Sequence, residues 1–93
     1  MIVLVAEVRM RLFHAQTLKD KRQFVKSVLA RLPQRFSVAA AEVDALDDPR
    51  TVALGLAAVG NGRAHVEDVL RRAIHFAALG MDGEIYDVRL EER

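Results

Sequence analysis

The sequence predicts a single α+β domain, residues 1–93, with the element order βαββαβ. Three observations carry that expectation. The chain opens with apolar residues at period two. Two later stretches have apolar residues at helical period. Turn and breaker residues separate these stretches at spacings that leave room for three more strands.

In residues 2–13, Ile2, Leu4, Ala6, Val8, Met10 and Leu12 share one face of a strand. Val3, Val5, Glu7, Arg9, Arg11 and Phe13 share the other, so one face meets a core and the other carries charge. His14–Gln16 is a connection. Thr17 caps a helix, with Asp20 three residues on in a capping-box arrangement. Leu18, Val25, Val28, Leu29, Leu32 and Phe36 form that helix's apolar stripe, and Pro33 predicts its end near Leu32. Val38–Val43 reads as a second strand, and Asp44–Arg50 as an acidic turn. Thr51–Val59 is a third strand of small apolar residues. Gly60-Asn61-Gly62 breaks it and opens a second helix over Arg63–Leu79, whose buried stripe is Val66, Val69, Leu70, Ala73, Phe76 and Ala77. Glu67/Arg71 and Asp68/Arg72 are i,i+4 pairs on its outer side, and Gly80 is placed to stop it. The last strand starts at Gly83 and runs to Arg89 or beyond.

Two right-handed crossovers in this order interleave into a four-stranded antiparallel sheet, order 4-1-3-2, with both helices on one face. This is the ferredoxin-like sandwich. The same topology pairs the first and last strands so that Arg9 faces Asp87, Glu7 faces Arg89 and Met10 faces Tyr86.

Composition excludes several classes. Apolar residues are 52% and charged residues 29%, which is globular rather than disordered. There is no cysteine, hence no disulfide frame, thiolate nucleophile or cysteine zinc site. No apolar run reaches about 18 residues, so no membrane span is expected. The opening segment lacks a basic start and meets Glu7 and Arg9 early, unlike a signal peptide. A cytoplasmic protein is the expectation. Eleven of fourteen basic residues are Arg and there is one Asn, which fits a heat-tolerant or GC-rich source. No catalytic constellation or cofactor motif is visible, and His14, His65 and His75 have no metal-ligand spacing. The expectation is therefore no enzyme, no cofactor and no metal.

Charge is divided by position. Residues 1–36 carry eight Lys/Arg against two acids, and residues 37–93 carry six against eleven. A split of this kind points to a polyanion partner, a charge-complementary assembly, or neutralisation within the fold. Lys19, Arg22 and Lys26 fall on one flank of the first helix, with Arg31 and Arg35 on the other. They are candidates for RNA phosphate contacts, or else a solvated flank. Lys21 falls inside the apolar arc. It either reaches out past the helix start, pairs with Glu42 or Asp44, or is aimed at a bound anion. Arg63 and His65 stand at the start of the second helix, where positive charge opposes the dipole unless an anion binds. An RRM stacks bases on strand aromatics. The third strand has none, which argues against that mode.

The sheet face away from the helices would show Val3, Val5, Ala53, Gly55, Ala57 and Val59. Such a small apolar set is a candidate interface for a homodimer or higher oligomer.

The segments MIVLVAEV, TLKDKRQFVKSVLARL and AEVDALDDPRTVALGLAAVGNGRAHVEDVL together resemble the small bacterial YlxP-like family of unknown function. Thr17–Arg22 is the most specific part, followed by Ala41–Asp44 and the Asn61/Arg63-Ala64-His65-Val66 helix start. The resemblance implies a ferredoxin-like fold and, loosely, a place near ribosome maturation. After Asp44 this chain reads Leu46-Asp47-Asp48-Pro49-Arg50, where members of the family often carry a Trp-containing stretch.

Two functional expectations follow. One is a non-enzymatic protein that binds RNA or the ribosome through the basic first helix. The other is a structural or regulatory homo-oligomer of ACT-like type, assembled through the open sheet and independent of nucleic acid.

Overall fold

The computed structural model describes residues 1–93. Its elements are β1 (Ile2–Leu12), α1 (Leu18–Arg35), β2 (Ala39–Asp44), β3 (Thr51–Gly60), α2 (Arg63–Ala78) and β4 (Gly83–Glu92). The sheet is antiparallel throughout, in the order β2-β3-β1-β4, and both helices pack on one side of it. This is the ferredoxin-like sandwich that the periodicities predict. No helix is long and apolar enough to cross a membrane.

The core lies between helices and sheet. Leu4, Ala6, Val8, Met10 and Leu12 of β1 and Val52, Leu54, Leu56 and Ala58 of β3 supply its floor. Val25, Val28 and Leu32 of α1 and Val66, Leu70, Ala73 and Ala77 of α2 close it from above. Each fully buried aliphatic side chain there contributes about 1.5–3 kcal/mol relative to exposure.

Capping follows the sequence at α1. The Asp20 N–H donates to Thr17 Oγ1 at 3.2 Å, and the Thr17 N–H donates back to Asp20 Oδ2 at 3.2 Å. The helix does not stop at Leu32 but runs through Pro33 to Arg35. A proline in the last turn removes only one helical hydrogen bond. The Phe36 N–H closes that turn on the Leu32 carbonyl at 3.0 Å. Helix α2 ends at Ala78, one residue earlier than expected, and Gly80 takes φ +75° just beyond it. Gly83 starts β4 where the chain passes against the Arg11 carbonyl. A Cβ there would lie 2.1 Å from that oxygen, so only glycine fits.

The β1–β4 register places Arg9 opposite Asp87 and Glu7 opposite Arg89, as expected. Met10, however, faces Ile85 rather than Tyr86, because the register shifts between Arg9 and Met10. Tyr86 thereby turns to the open face, where its ring lies 5.0 Å from the Arg11 guanidinium. Strand β2 begins at Ala39, not Val38, since the Val38 N–H is taken by the Phe36 carbonyl in the preceding turn. A second register shift, between Glu42 and Asp44, sets Asp44 opposite Ala53.

Candidate functional site

The charge split of the sequence becomes a split between layers. The two helices carry nine Lys/Arg and three acids, and the four strands carry three Lys/Arg and seven acids. Pairing differs as much as number. On the open sheet face Arg9 Nη2 lies 2.7 Å from both Glu7 Oε1 and Asp44 Oδ2, and Arg89 Nε lies 3.1 Å from Asp87. Arg11 reaches Glu84 at 4.0 Å. The expected cross-strand partners thus face one another in register, but their heads pair along each strand instead, Arg9 with Glu7 and Arg89 with Asp87, and no ion pair joins Arg9 to Asp87 or Glu7 to Arg89. Among the α1 cations only Lys21 has a carboxylate within ion-pair distance. Lys19, Arg22, Lys26, Arg31 and Arg35 are exposed and carry none.

Lys21 is corrected as an anion-binding candidate. It is fully buried, and its ammonium donates to the carbonyls of Ala45 (2.7 Å), Leu46 (3.2 Å) and Thr51 (3.2 Å). Those three bonds exhaust its N–H groups. Glu42 Oε2 lies 3.0 Å from Nζ and neutralises the charge without receiving a hydrogen bond. The expected pairing with Glu42 is what forms. Asp44 goes to Arg9 instead. Ala45, at φ +53°, occupies the left-handed region that non-glycine residues visit at a cost of roughly 1–3 kcal/mol. Its carbonyl accepts the shortest of the three lysine bonds. Lys21 is thus a lock on the 45–51 turn.

At the start of α2, Arg63 is engaged by Glu92 of β4 and lies 3.9 Å from Glu67. His65 is exposed beside Ser37, Asn61 and Val66 in a cleft of about 490 Å³. The structure therefore brings Lys19, Arg22 and Lys26 together on one flank of α1 and leaves Arg63 tied to the last strand.

Sequence reasoning missed an aromatic–cation cluster on the opposite flank. Phe36, at the end of α1, meets Phe76 of α2 edge-on, with centroids 5.7 Å apart at 60°. The guanidinium carbons of Arg31 and Arg35 lie 5.5 and 4.9 Å from the Phe76 centroid. The signal was present as Arg31 and Arg35 one turn apart. Reading Phe36 and Phe76 only as core stripes hid it. Both are half-buried, so each also presents ring to solvent.

The open sheet face is divided. Its polar half holds the ion pairs above. Its apolar half holds Val3, Val5, Gly55, Ala57 and Val59, joined by Ala39, Ala41 and Val43 of β2. Ala53 has the expected parity but is fully buried, a correction to its place in an interface. Arg9 and Asp44 flank it on the neighbouring strands, and their ion pair spans its methyl. Gly55 is likewise occupied, since Val43 Cγ1 fills the space a Cβ would take. What remains open is a shallow concavity of about 310 Å³ floored by Val5, Ala39, Ala41, Val43, Gly55 and Ala57, with Val59 60% exposed beyond it.

Three carboxyls sit below their ordinary range. Asp44 is held there by the Arg9 guanidinium and then by the Ala45 N–H. Asp20 is held by the N–H groups of Gln16 and Thr17, and Asp48 chiefly by the N–H of Arg50. Each is explained by turn, cap or ion-pair structure. No three His, Asp or Glu side chains gather around a common point where one metal ion would bind.

Two solved structures share the fold at low identity. The de novo designed protein Foldit4 aligns over 96% of both chains with a TM-score of 0.59 and 18% identity. The de novo designed protein Ferredog-Diesel aligns over 96% of this chain and 83% of its own, with a TM-score of 0.51 and 15% identity. Among natural sequences, the uncharacterized protein YlxP of Bacillus subtilis (strain 168) is 32% identical over 71 residues, covering 76% of this chain and 77% of the relative. The family model described as protein of unknown function (DUF503) matches residues 3–90, nearly the whole domain, and the chain belongs to that YlxP-like family.

Proposed function

We propose that this protein is a non-enzymatic cytoplasmic RNA-binding protein that engages ribosomal RNA or the ribosome through its helix layer. The observation that carries this reading is the set of five α1 cations without a carboxylate partner: Lys19, Arg22, Lys26, Arg31 and Arg35. Arg22/Lys26 and Arg31/Arg35 are like-charged pairs at i,i+4, each unfavourable by roughly 0.2–0.5 kcal/mol in an isolated helix. A phosphate backbone reverses that sign, and each neutralised phosphate releases counterions. The reading is of backbone contacts by a helix surface, with His65 at its margin and Arg63 available only by leaving Glu92. Titration of labelled ribosomal RNA and of ribosomal subunits at about 50 mM salt tests it, where phosphate-driven binding is strong. Binding that weakens steeply with salt is expected. Indifference of the wild-type protein to both would end the reading.

A second reading rests on a different observation, the exposed apolar half of the open sheet. There a second copy would build an ACT-like oligomer, with a small ligand at the interface. Light scattering tests it, and a monomer at tens of micromolar rejects it. The helix layer stays free in such an assembly, so the two readings are separable.

A further inference from the structure

Resting on the RNA reading, we propose that the Phe36–Phe76 cluster is a stacking site for an unpaired base. It would make the preferred partner a single-stranded or loop segment rather than continuous duplex. Phe36, Phe76 and Leu79 floor an open groove of about 440 Å³, and Arg71, Arg72 and His75 complete its lining. Leu79 is 56% exposed, which leaves apolar surface at the groove's end.

Two features select the occupant. The first is charge. Arg31 and Arg35 approach the Phe76 ring from α1 and have no carboxylate partner. Arg71 and Arg72 border it from α2, and their only acids are Glu67 and Asp68 in exposed i,i+4 pairs at 3.2 and 2.9 Å. Such exposed pairs are weak and exchange readily for phosphate oxygens. The second is shape. A ring with guanidinium groups 4.9 and 5.5 Å from its centroid is a platform for a planar π-system. A base takes the ring face by displacing one guanidinium, which then turns to the adjoining phosphate. Bases stack on aromatic side chains and on Arg planes in this way, with little dependence on sequence. A base inside a duplex has no free face to offer.

The test uses the full chain and two probes, a short unstructured RNA carrying 2-aminopurine and a perfect RNA duplex. Phe76→Leu keeps an apolar side chain in the groove and removes the π-face. Arg31→Gln with Arg35→Gln changes only exposed positions and serves if the leucine variant unfolds. Quenching of 2-aminopurine on binding is expected. So is a roughly 5- to 150-fold loss of affinity for the unstructured RNA in Phe76→Leu, the equivalent of one base stack. Its duplex affinity should stay within about twofold of wild type. Equal binding of the unstructured RNA by wild type and Phe76→Leu would overturn the stacking site and leave the phosphate reading standing. So would a loss in the arginine variant that is equal for the unstructured RNA and the duplex, since a phosphate contact serves both probes and a stacked base only the first. Binding of neither probe by the wild type would overturn both. An acidic, aromatic peptide that loses affinity in Phe76→Leu while the RNA does not would reassign the groove to protein.

Discussion

The two faces of this small sandwich treat charge in opposite ways. On the open sheet face Arg9 pairs with Glu7 and Asp44, and Arg89 separately with Asp87, at 2.7–3.1 Å, so these charges are satisfied within the fold. On α1 five cations stand exposed with no carboxylate within ion-pair distance. Exposed pairs contribute about 0–1 kcal/mol each, so the sheet pairs fix side-chain positions more than they stabilise. Unpaired like charges on one helix stabilise nothing. The contrast teaches that net charge conceals how charge is distributed here. A formal +1 is the sum of a helix layer at +6, a sheet at −4 and connecting and terminal residues at −1.

Lys21 is the helix cation that belongs to the other class, and it should give the largest effect. Lys21→Met removes the ammonium and leaves Glu42 and three carbonyls without their partner. Breaking a buried pair from one side costs about 3–5 kcal/mol, to be read from urea unfolding. Adding Glu42→Leu should recover part of that loss, because no unpaired carboxylate remains. A single-variant loss below about 1 kcal/mol would place Lys21 with the surface lysines and dissolve the distinction.

Replacing Lys19, Arg22 and Lys26 together with Gln should do the reverse. Stability should move by no more than about 0.5 kcal/mol, because none of them has an ion partner to lose. The log–log salt slope of RNA binding should fall by roughly 0.7–0.9 for each contact removed. Arg71→Gln and Arg72→Gln should alter the slope less, since those heads begin the reaction already paired with Glu67 and Asp68. Arg89→Gln, on the sheet, should leave it unchanged. A sheet variant that weakened RNA binding as much as the triple would break the assignment of function to the helix layer.

Ala57→Asp sharpens the apolar half of the sheet. If a second copy covers that half, a carboxylate desolvated there without a partner should convert the oligomer to monomer in light scattering. If the half stays in water, the introduced carboxylate remains hydrated, should cost little and should change no molecular weight. Identical oligomeric mass in the two proteins would remove this face as the interface.

Much of the fold was legible because burial acts at fixed periods. The alternation in residues 2–13 and the stripes in both helices read directly as faces, and Thr17 with Asp20 marked a helix start. The sheet register was legible as far as Arg9 and failed at Met10, since a bulge is a backbone event with no composition of its own. Pro33 misled because the last turn is held from outside the helix, by Leu32 in the core and Phe36 against Phe76. Lys21 was visible as an anomaly within an apolar arc, and Glu42 as one of its partners. The three carbonyls were not, because backbone acceptors in a turn leave no trace in residue type. The Arg31–Phe76 and Arg35–Phe76 contacts join positions more than forty residues apart in sequence, and only the packing of the helices reveals them.

Acid is the mildest test of the contrast between faces. Asp44 has its carboxyl below the usual range because of the Arg9 guanidinium first and the Ala45 N–H second. Its folded-state value lies below the unfolded value of about 3.9. The stabilisation is therefore present above that value and is lost as pH falls through the folded one. Arg9 stays charged throughout, its own equilibrium shifted further toward the protonated form by Asp44 and Glu7. Asp20 is also depressed, but first by the N–H groups of Gln16 and Thr17, with the neighbouring Lys19 the smallest contributor. The two carboxyls should then differ in salt. Screening weakens an exposed ion pair more than a capping hydrogen bond. Melting temperatures taken below about pH 4 should fall less steeply in Asp44→Asn than in wild type. Added salt should narrow that difference. For Asp20→Asn the same comparison should show little salt dependence. If wild type and Asp44→Asn lost stability in parallel at both salt concentrations, the Arg9–Asp44 bridge would contribute nothing in solution, and the sheet's charges would be no better satisfied than the helix's.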